Sequence, residues 1–282
     1  MSHRSPPLLA PFVIVTYVLL LAPLVIVIAV SFGPSPNYQF PPSGFSLKWY
    51  RAFFTNTQFV HAFFRVSLVL GVLAAIGSSL LGGLAAVSLV RLRFAGREAL
   101  EAFFLAPLFI PEILFAAALY LVYARVGIRP SMLALLAGHI VVCTPYVIRN
   151  VTAGLSGLDP RLEEAAMSLG ANRVQAFIKV ALPLVRSSLL SGSVLAFVIS
   201  FSDIYLALFI SAPNSTTLPV YIFNLLIFGS DPSVAAASTL SIVMIGVLIW
   251  TLQVAFQHQT HQAGGRRAGG GGQNAMAVVQ ES

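Results

Sequence analysis

The chain has 282 residues, of which 57% are hydrophobic and only 9% are charged, and its formal net charge is +7. Since soluble domains carry about 25% charged residues, this composition excludes an ordinary soluble domain. The basic residues lie at the ends of apolar runs, which indicates membrane orientation and not nucleic-acid binding. Cys143 is the one cysteine, so an internal disulfide is excluded, and its apolar surroundings favour an inert buried thiol.

Six apolar stretches are long enough to cross a membrane as helices, which takes about 20 residues. They are 9–32, 62–90, 102–124, 131–149, 187–211 and 236–257. The first is too long for a signal peptide and lacks a small-residue cleavage site, so we expect it to be retained. The predicted fold class is therefore an all-α membrane protein with six transmembrane helices.

The chain divides into three parts on this interpretation. Residues 1–61 hold the first transmembrane helix and an external amphipathic segment, and residues 62–257 form the transmembrane core. Residues 258–282 are a Gly-rich tail that is predicted to be disordered and solvated, because it has too few apolar residues to build a core.

The distribution of basic residues predicts the orientation of the six spans. Cytoplasmic termini put eleven basic residues inside, namely Arg4, Arg91, Arg93, Arg97, Arg149, Arg161, Arg173, Lys179, Arg186, Arg266 and Arg267. The same orientation leaves five outside, namely Lys48, Arg51, Arg65, Arg125 and Arg129. Because loops rich in Lys and Arg stay in the cytoplasm, both termini are predicted to be cytoplasmic.

Two local features precede the third span. The first external loop carries Lys48 and Arg51 among the aromatic residues Trp49, Tyr50, Phe53 and Phe54. This pattern is typical of an amphipathic helix at the membrane interface or of an ordinary aromatic belt. In the second span small residues recur every four positions, at Gly71, Ala75, Ser79 and Gly83, which predicts a helix face suited to close packing.

The loop at 150–186 is too polar to enter the bilayer, and its first half predicts a short helix. Asp159-Pro160 is typical of a helix start, because Asp caps free amides and Pro fits the first turn. Gly170 predicts the end of this helix. Between them one face carries Leu162, Ala165, Ala166 and Leu169, at the helical spacing.

The second half of the loop predicts a second helix. Asn172 and Gln175 have the spacing of a capping box at its start, and Pro183 is predicted to end it. The small side chains of Ala165 and Ala166 leave a shallow surface that another backbone can approach closely. We therefore interpret the helix–turn–helix hairpin as a docking element for a cytoplasmic partner.

The hairpin resembles the EAA loop of the permeases of binding-protein-dependent ABC importers (type I, MetI-like). The match is Glu164-Ala165-Ala166, three residues, Gly170, nine residues, and then Val180-Ala181-Leu182-Pro183. Further segments are similar to the spermidine/putrescine branch of that family, namely 44–50, Arg91-Leu92-Arg93-Phe94, Ile110-Pro111-Glu112, Gly138-His139 and 200–203. Ser202-Asp203 stands where that branch often has two adjacent acidic residues.

The resemblance implies a fold, a function and a set of partners. It implies a permease core with a cytoplasmic coupling hairpin between spans 4 and 5, in a bacterial inner membrane. The implied partners are two ATPase subunits, a second permease subunit, identical or homologous, and an external solute-binding protein. The implied ATPase-coupling residues are Glu164, Ala165, Ala166, Gly170, Leu182 and Pro183.

The chain is expected to be a transport subunit and not an enzyme. It lacks the Gly-rich Lys-Ser/Thr loop that cradles nucleotide phosphates, so ATP is expected to be bound by the partner ATPase. No cofactor, metal or nucleic acid is expected on this chain. The implied substrate is a polyamine such as spermidine or putrescine, or a related small cation.

Polar residues inside the predicted spans are candidates for the substrate pathway. A charge at the bilayer centre costs about 3 kcal/mol, so such residues usually face a pathway or a partner. The candidates are Asp203, Glu112, His139 and Ser202. Each has a structural alternative: Glu112 follows the helix break at Pro111, His139 can bond to a neighbouring helix, and Asp203 can be a structural polar residue.

Two other classes of function remain open. A secondary transporter would use Glu112, His139 and Asp203 as a proton relay, but it leaves the hairpin unexplained. An intramembrane enzyme would be built on Glu112 with His139 and Cys143, which share a helix face at i, i+4. No nucleophile elbow or metal-ligand motif accompanies those residues.

Overall fold

The computed structural model describes residues 9–229 and 231–254. Over these residues the chain is helical and contains no strand. We label the helices in chain order as α1 (Leu9–Ser31), α2 (Lys48–Thr55), α3 (Thr57–Arg91), α4 (Arg97–Phe109), α5 (Glu112–Arg125), α6 (Met132–Ser156), α7 (Arg161–Ser168), α8 (Arg173–Ser202), α9 (Tyr205–Ile210), α10 (Leu218–Phe228) and α11 (Ser233–Val254).

Five helices in the described part of the chain are long and apolar enough to cross a membrane, namely α1, α3, α6, α8 and α11. The stretch predicted as the span 102–124 is instead divided between α4 and α5, which meet at an angle of 109°. The break falls at Ile110-Pro111, where the proline cannot donate a backbone hydrogen bond. The predicted six spans are reached only if this bent pair is counted as one.

The prediction of a single span over 187–211 is wrong at both ends. The helix α8 begins far earlier, at Arg173, and it ends at Ser202. Asp203 then leaves the helical conformation, and its carboxylate accepts hydrogen bonds from the amides of Leu206 and Ala207 in α9. An Asp side chain that bonds to nearby backbone amides favours a helix boundary over a helix interior.

The sequence predicted that Pro183 ends the second hairpin helix. This prediction is wrong, because α8 continues through Pro183. A π-helical turn at Phe177–Ala181 precedes the proline. Across this turn the amide of Leu182 donates to the carbonyl of Phe177, five residues earlier instead of four. The wider turn lets the helix pass the position at which Pro183 has no amide hydrogen to donate.

The centre of the fold is a packed group of three helices, α3, α6 and α8, and small residues allow their close approach. Ser79 of α3 and Ser193 of α8 share a hydrogen bond of 2.6 Å. A Cβ added at Gly71 would lie 2.9 Å from the ring of Phe197, and one at Gly82 would lie 2.9 Å from Val147. The small-residue face predicted in the second span is therefore the face that packs on α8.

The first helix lies apart from this centre. None of the residues in the apolar window of α1 is buried, so its side chains face outward along most of its length. The segment after α1 connects to α2, which lies where the aromatic and basic residues indicated either an amphipathic helix or an aromatic belt. Trp49 donates its indole N–H to the Gly33 carbonyl at 2.9 Å, and Tyr50 shares a hydrogen bond with Ser31.

The Gly-rich tail from residue 258 onward lies outside the described residues, as do Arg4, Arg266 and Arg267 of the orientation argument.

Candidate functional sites: an exposed hairpin and a buried polar cluster

The hairpin that connects α6 to α8 is built by short-range sequence signals. The Asp159 carboxylate accepts a hydrogen bond from the Arg161 amide at 3.0 Å at the start of α7. Gly170 has φ = 95°, a left-handed conformation that favours glycine, and it reverses the chain. Asn172 and Gln175 then form the predicted capping box, with reciprocal hydrogen bonds of 2.8 and 3.0 Å.

The hairpin presents apolar side chains to its surroundings. No residue of α7 is completely buried, and most are exposed. Leu169, at the tip, is 90% exposed, and Leu162 and Val174 are also exposed. An apolar surface of this kind on an otherwise polar loop is typical of a protein-interaction site.

The structure separates the six predicted coupling residues into two groups. Glu164, Ala165 and Gly170 are exposed near the tip, and Ala166 is half-buried beside them. Leu182 and Pro183 lie further along α8, beyond the π turn, where Leu182 is half-buried and Pro183 is exposed. Ten residues of helix, or about 15 Å, separate Pro183 from the start of α8.

Sequence reasoning missed an ion pair between the hairpin and the second span. The guanidinium Nη2 of Arg91, the last residue of α3, lies 2.5 Å from Oε1 of Glu163 in α7. Both side chains are mostly buried. The Arg91 signal was present in the motif Arg91-Leu92-Arg93-Phe94, but nothing in the sequence identified its partner.

A second group of polar side chains lies inside the helical core. His139 of α6 is 1% exposed, and its Nδ1 shares a hydrogen bond of 2.9 Å with the hydroxyl of Ser200. Its Nε2 lies 3.6 Å from Oδ2 of Asp203 and has no hydrogen-bond partner among the residues that the structure describes. The Glu112 carboxyl lies close to that of Asp203, so three of the four predicted pathway residues come together.

Breaks in two helices bring these groups to one place. Glu112 is the first residue of α5, directly after the break at Pro111. Asp203 occupies the break between α8 and α9. Non-helical backbone within membrane proteins is tolerated where it is buried in protein or lines a water-filled cavity, and transporters place substrate sites at such breaks.

The fourth candidate, Ser202, does not join this cluster. Its side chain is exposed, and its hydroxyl donates to the carbonyl of Val198 in its own helix at 2.6 Å. Ser200 instead provides the buried hydroxyl of the cluster. It lies two residues before Ser202 and therefore on nearly the opposite side of α8. Ser202 was selected from the sequence, where nothing local shows which of the two serines faces the core.

The arrangement of helices matches that of solved ABC importers. The chain is similar to a bacterial ABC transporter involved in the import of the acidic polysaccharide alginate, with a TM-score of 0.67, 18% sequence identity, and coverage of 86% of this chain and 93% of the other. It is also similar to the MetNI methionine ABC transporter, with a TM-score of 0.53, 19% identity, and coverage of 67% and 88%. These likenesses define the fold as that of an ABC import permease.

Sequence comparison identifies the family. The profile of the binding-protein-dependent transport system inner membrane component matches residues 78–261. The spermidine/putrescine transport system permease protein PotC of Haemophilus influenzae is 33% identical over 250 residues, which cover 89% of this chain and 96% of PotC. The putrescine transport system permease protein PotI of Escherichia coli is 31% identical over 271 residues, covering 91% and 96%. The chain therefore belongs to the family of inner membrane components of binding-protein-dependent transport systems, as its hairpin predicted, and it is a multi-pass ABC importer permease.

Proposed function

We propose that this permease carries a polyamine such as spermidine or putrescine, or a related small cation, across the membrane. The proposal rests on one observation above all: the carboxyl groups of Glu112 and Asp203 lie together at two helix breaks inside the core. Two carboxylates at this range repel each other unless a proton or a cation lies between them. The names of the relatives PotC and PotI point to the same class of substrate.

The alternative is that both carboxylates only cap the helices that follow them. Asp203 does accept hydrogen bonds from α9, at 3.4 and 3.3 Å, and Glu112 stands in the first turn of α5. Capping explains each acid singly. It does not explain why the two acids and the ring of His139 converge on one another.

The hairpin supports an ATP-driven mechanism. We place it in the cytoplasm, where the apolar tip around Leu169 docks on an ATPase subunit that binds and hydrolyses ATP. The complex contains two ATPase subunits, a second permease subunit, identical or homologous, and an external solute-binding protein. Closure of the ATPase subunits moves the hairpins, and the helices alternate between inward-facing and outward-facing states.

Uptake by the complete complex tests this function. The permease, its partner permease, the ATPase and the binding protein are reconstituted in vesicles, and entry of labelled spermidine is followed with and without ATP. We expect uptake that needs both ATP and the binding protein and is competed by putrescine. Uptake driven by a proton gradient without ATP would identify a secondary transporter, and failure of spermidine to enter or compete would exclude the cationic substrate.

A further inference from the structure

The hairpin has two adjacent glutamates, and the structure places them differently. The Glu163 carboxylate contacts Arg91 of α3 and is mostly buried, whereas Glu164 is exposed and makes no ion pair among the described residues. From this geometry we infer that Glu163 and Arg91 are positioning residues that link the docking hairpin to the second span. The inference rests on the proposed coupling role of the hairpin and deepens it.

The hairpin is joined covalently to only two of the three central helices. It is continuous with α6 through residues 157–160 and with α8 through the turn at Gly170. The third helix of the central group, α3, has no such covalent connection to the hairpin. The Arg91–Glu163 ion pair provides the missing link, so that a displacement of the hairpin reaches all three central helices.

The surface of α7 also supports this role for the ion pair. Since none of its residues is completely buried, α7 has little apolar packing to hold it against the core. A cavity of about 550 Å³ lies between the hairpin and the end of α3. It is lined by both members of the ion pair and by Val87, Met167, Arg173 and Phe177. The ion pair crosses this cleft and so joins the end of α3 directly to the first turn of α7.

The charges of Arg91 and Glu163 also suit their positions at the ends of two helices. Arg91 stands in the last turn of α3, and Glu163 stands in the first turn of α7. The helix dipole favours a cation at the first of these positions and an anion at the second, so each charge is favourably placed at its own helix end. Because both are partly shielded from solvent, salt screens their attraction less than it screens an exposed pair.

The test uses the complete transport complex with Glu163→Gln and Arg91→Gln. The measurements are retention of the ATPase subunits, stimulation of ATP hydrolysis by loaded binding protein, and substrate uptake. We expect both variants to retain the ATPase subunits and to hydrolyse ATP, while uptake falls roughly tenfold, since coupled ionic pairs contribute on this scale. Arg91→Lys, which keeps the charge, should recover part of the lost uptake.

A matched control is Arg93→Gln, which removes a charge two residues away. Arg93 is exposed and makes no ion pair among the described residues, so substrate uptake by the Arg93→Gln complex should be unchanged. Normal uptake in Glu163→Gln and Arg91→Gln would overturn the inference. Loss of the ATPase subunits in Glu163→Gln would also overturn it, because Glu163 would then be a docking residue.

The two proposals fail in different ways. If Gly170→Val, which distorts the hairpin itself, retains the ATPase subunits and full uptake, then the docking role of the hairpin is wrong. If Gly170→Val loses the ATPase subunits but Glu163→Gln transports normally, then the hairpin docks and only the link to α3 is wrong.

Discussion

At the scale of single residues, Asp203 shows how a side chain can fix the local backbone and also provide charge. Its two carboxylate oxygens accept hydrogen bonds from α9, and Oδ2 also faces the ring of His139. The residue is 6% exposed in the isolated chain. A charged group buried to this degree is costly in a membrane, which favours a functional reason for its presence.

We predict that Asp203→Asn weakens transport of a cationic substrate. The amide oxygen keeps one hydrogen-bond acceptor for α9, while the negative charge is lost. The KM for spermidine should rise about tenfold, since hydrogen bonds to charged groups contribute about 1.5–3 kcal/mol. Initial uptake rates over a range of spermidine concentrations measure this effect, and Asp203→Glu, which keeps the charge, is the control. Unchanged kinetics in Asp203→Asn would leave Asp203 as a helix cap alone.

The members of the polar cluster could be predicted from the sequence, but their contacts could not. Glu112, His139 and Asp203 were identifiable because polar residues are rare in apolar runs. His139 and Ser200 are 61 positions apart, and no local pattern links them. Their contact depends on how α6 packs against α8, and the sequence of either helix alone does not specify that packing.

At the scale of helices, helix starts and turns were predictable where they depend on a few neighbouring residues in the sequence. The capping box at Asn172 and Gln175 and the turn at Gly170 formed as predicted, because each depends on fewer than five neighbouring residues. The helix end at Pro183 was wrong, because a π turn several residues earlier accommodates the proline. A proline alone does not show whether the preceding turn is α or π.

We predict that Gly170→Val separates the permease from its ATPase. A β-branched residue in this left-handed conformation costs about 1–2 kcal/mol and changes the direction of α8 relative to α7. Less ATPase should copurify with the variant, and uptake should be lost. Gly127→Val is the matched control, since Gly127 also has positive φ, at 78°, and open space around its Cβ position but lies outside the hairpin. Normal ATPase retention in Gly170→Val would contradict the docking role.

A second prediction at this scale concerns helix packing. A methyl group at Gly82 would lie 2.9 Å from Cβ of Val147 and 3.0 Å from the backbone oxygen of Thr144. Gly82→Ala should therefore force α3 and α6 apart and destabilise the fold by about 1–3 kcal/mol. Thermal unfolding of the purified permease, followed by its helical circular dichroism signal, measures the change.

Gly246→Ala is the control for this substitution, because nothing lies within 4 Å of a Cβ at that position of α11. Alanine has a higher helix propensity than glycine, by about 0.5–1 kcal/mol. The control should match the unaltered protein or unfold at a slightly higher temperature. Equal behaviour of the two variants would show that the close approach at Gly82 contributes nothing to stability.

At the scale of the whole molecule, the distribution of basic residues predicts which side of the membrane each loop faces. We predict that a cysteine at Ser168, in a background where Cys143 is alanine, reacts with an impermeant maleimide only after the membrane is opened. Ser168 is exposed at the hairpin, whereas Cys143 is 1% exposed. A cysteine at the exposed Asn37, between α1 and α2, should react in intact cells. The reverse pattern would invert the topology.

The number of spans was predictable only approximately from the sequence. Hydropathy located the apolar stretches, but it did not predict that α4 and α5 would meet at 109°. It also overlooked α10, an apolar helix of 11 residues that is too short to cross a membrane alone. Bends and short helices depend on neighbouring helices, which provide hydrogen bonds and space for them.

The π turn at Phe177–Ala181 preserves the rotation of the hairpin about the axis of α8. In a regular α-helix one extra residue would rotate everything before it by roughly 100° relative to everything after it, whereas a π turn takes up one extra residue within a single wider turn. Deletion of Lys179, an exposed residue within the turn, would therefore restore a regular α-helical turn and leave the hairpin tip facing nearly the same way, whereas deletion of a residue in the α-helical part of α8 would rotate the tip. The direction in which the tip faces is thus encoded by the count of residues in the α-helical part of α8, independently of which residues the tip contains.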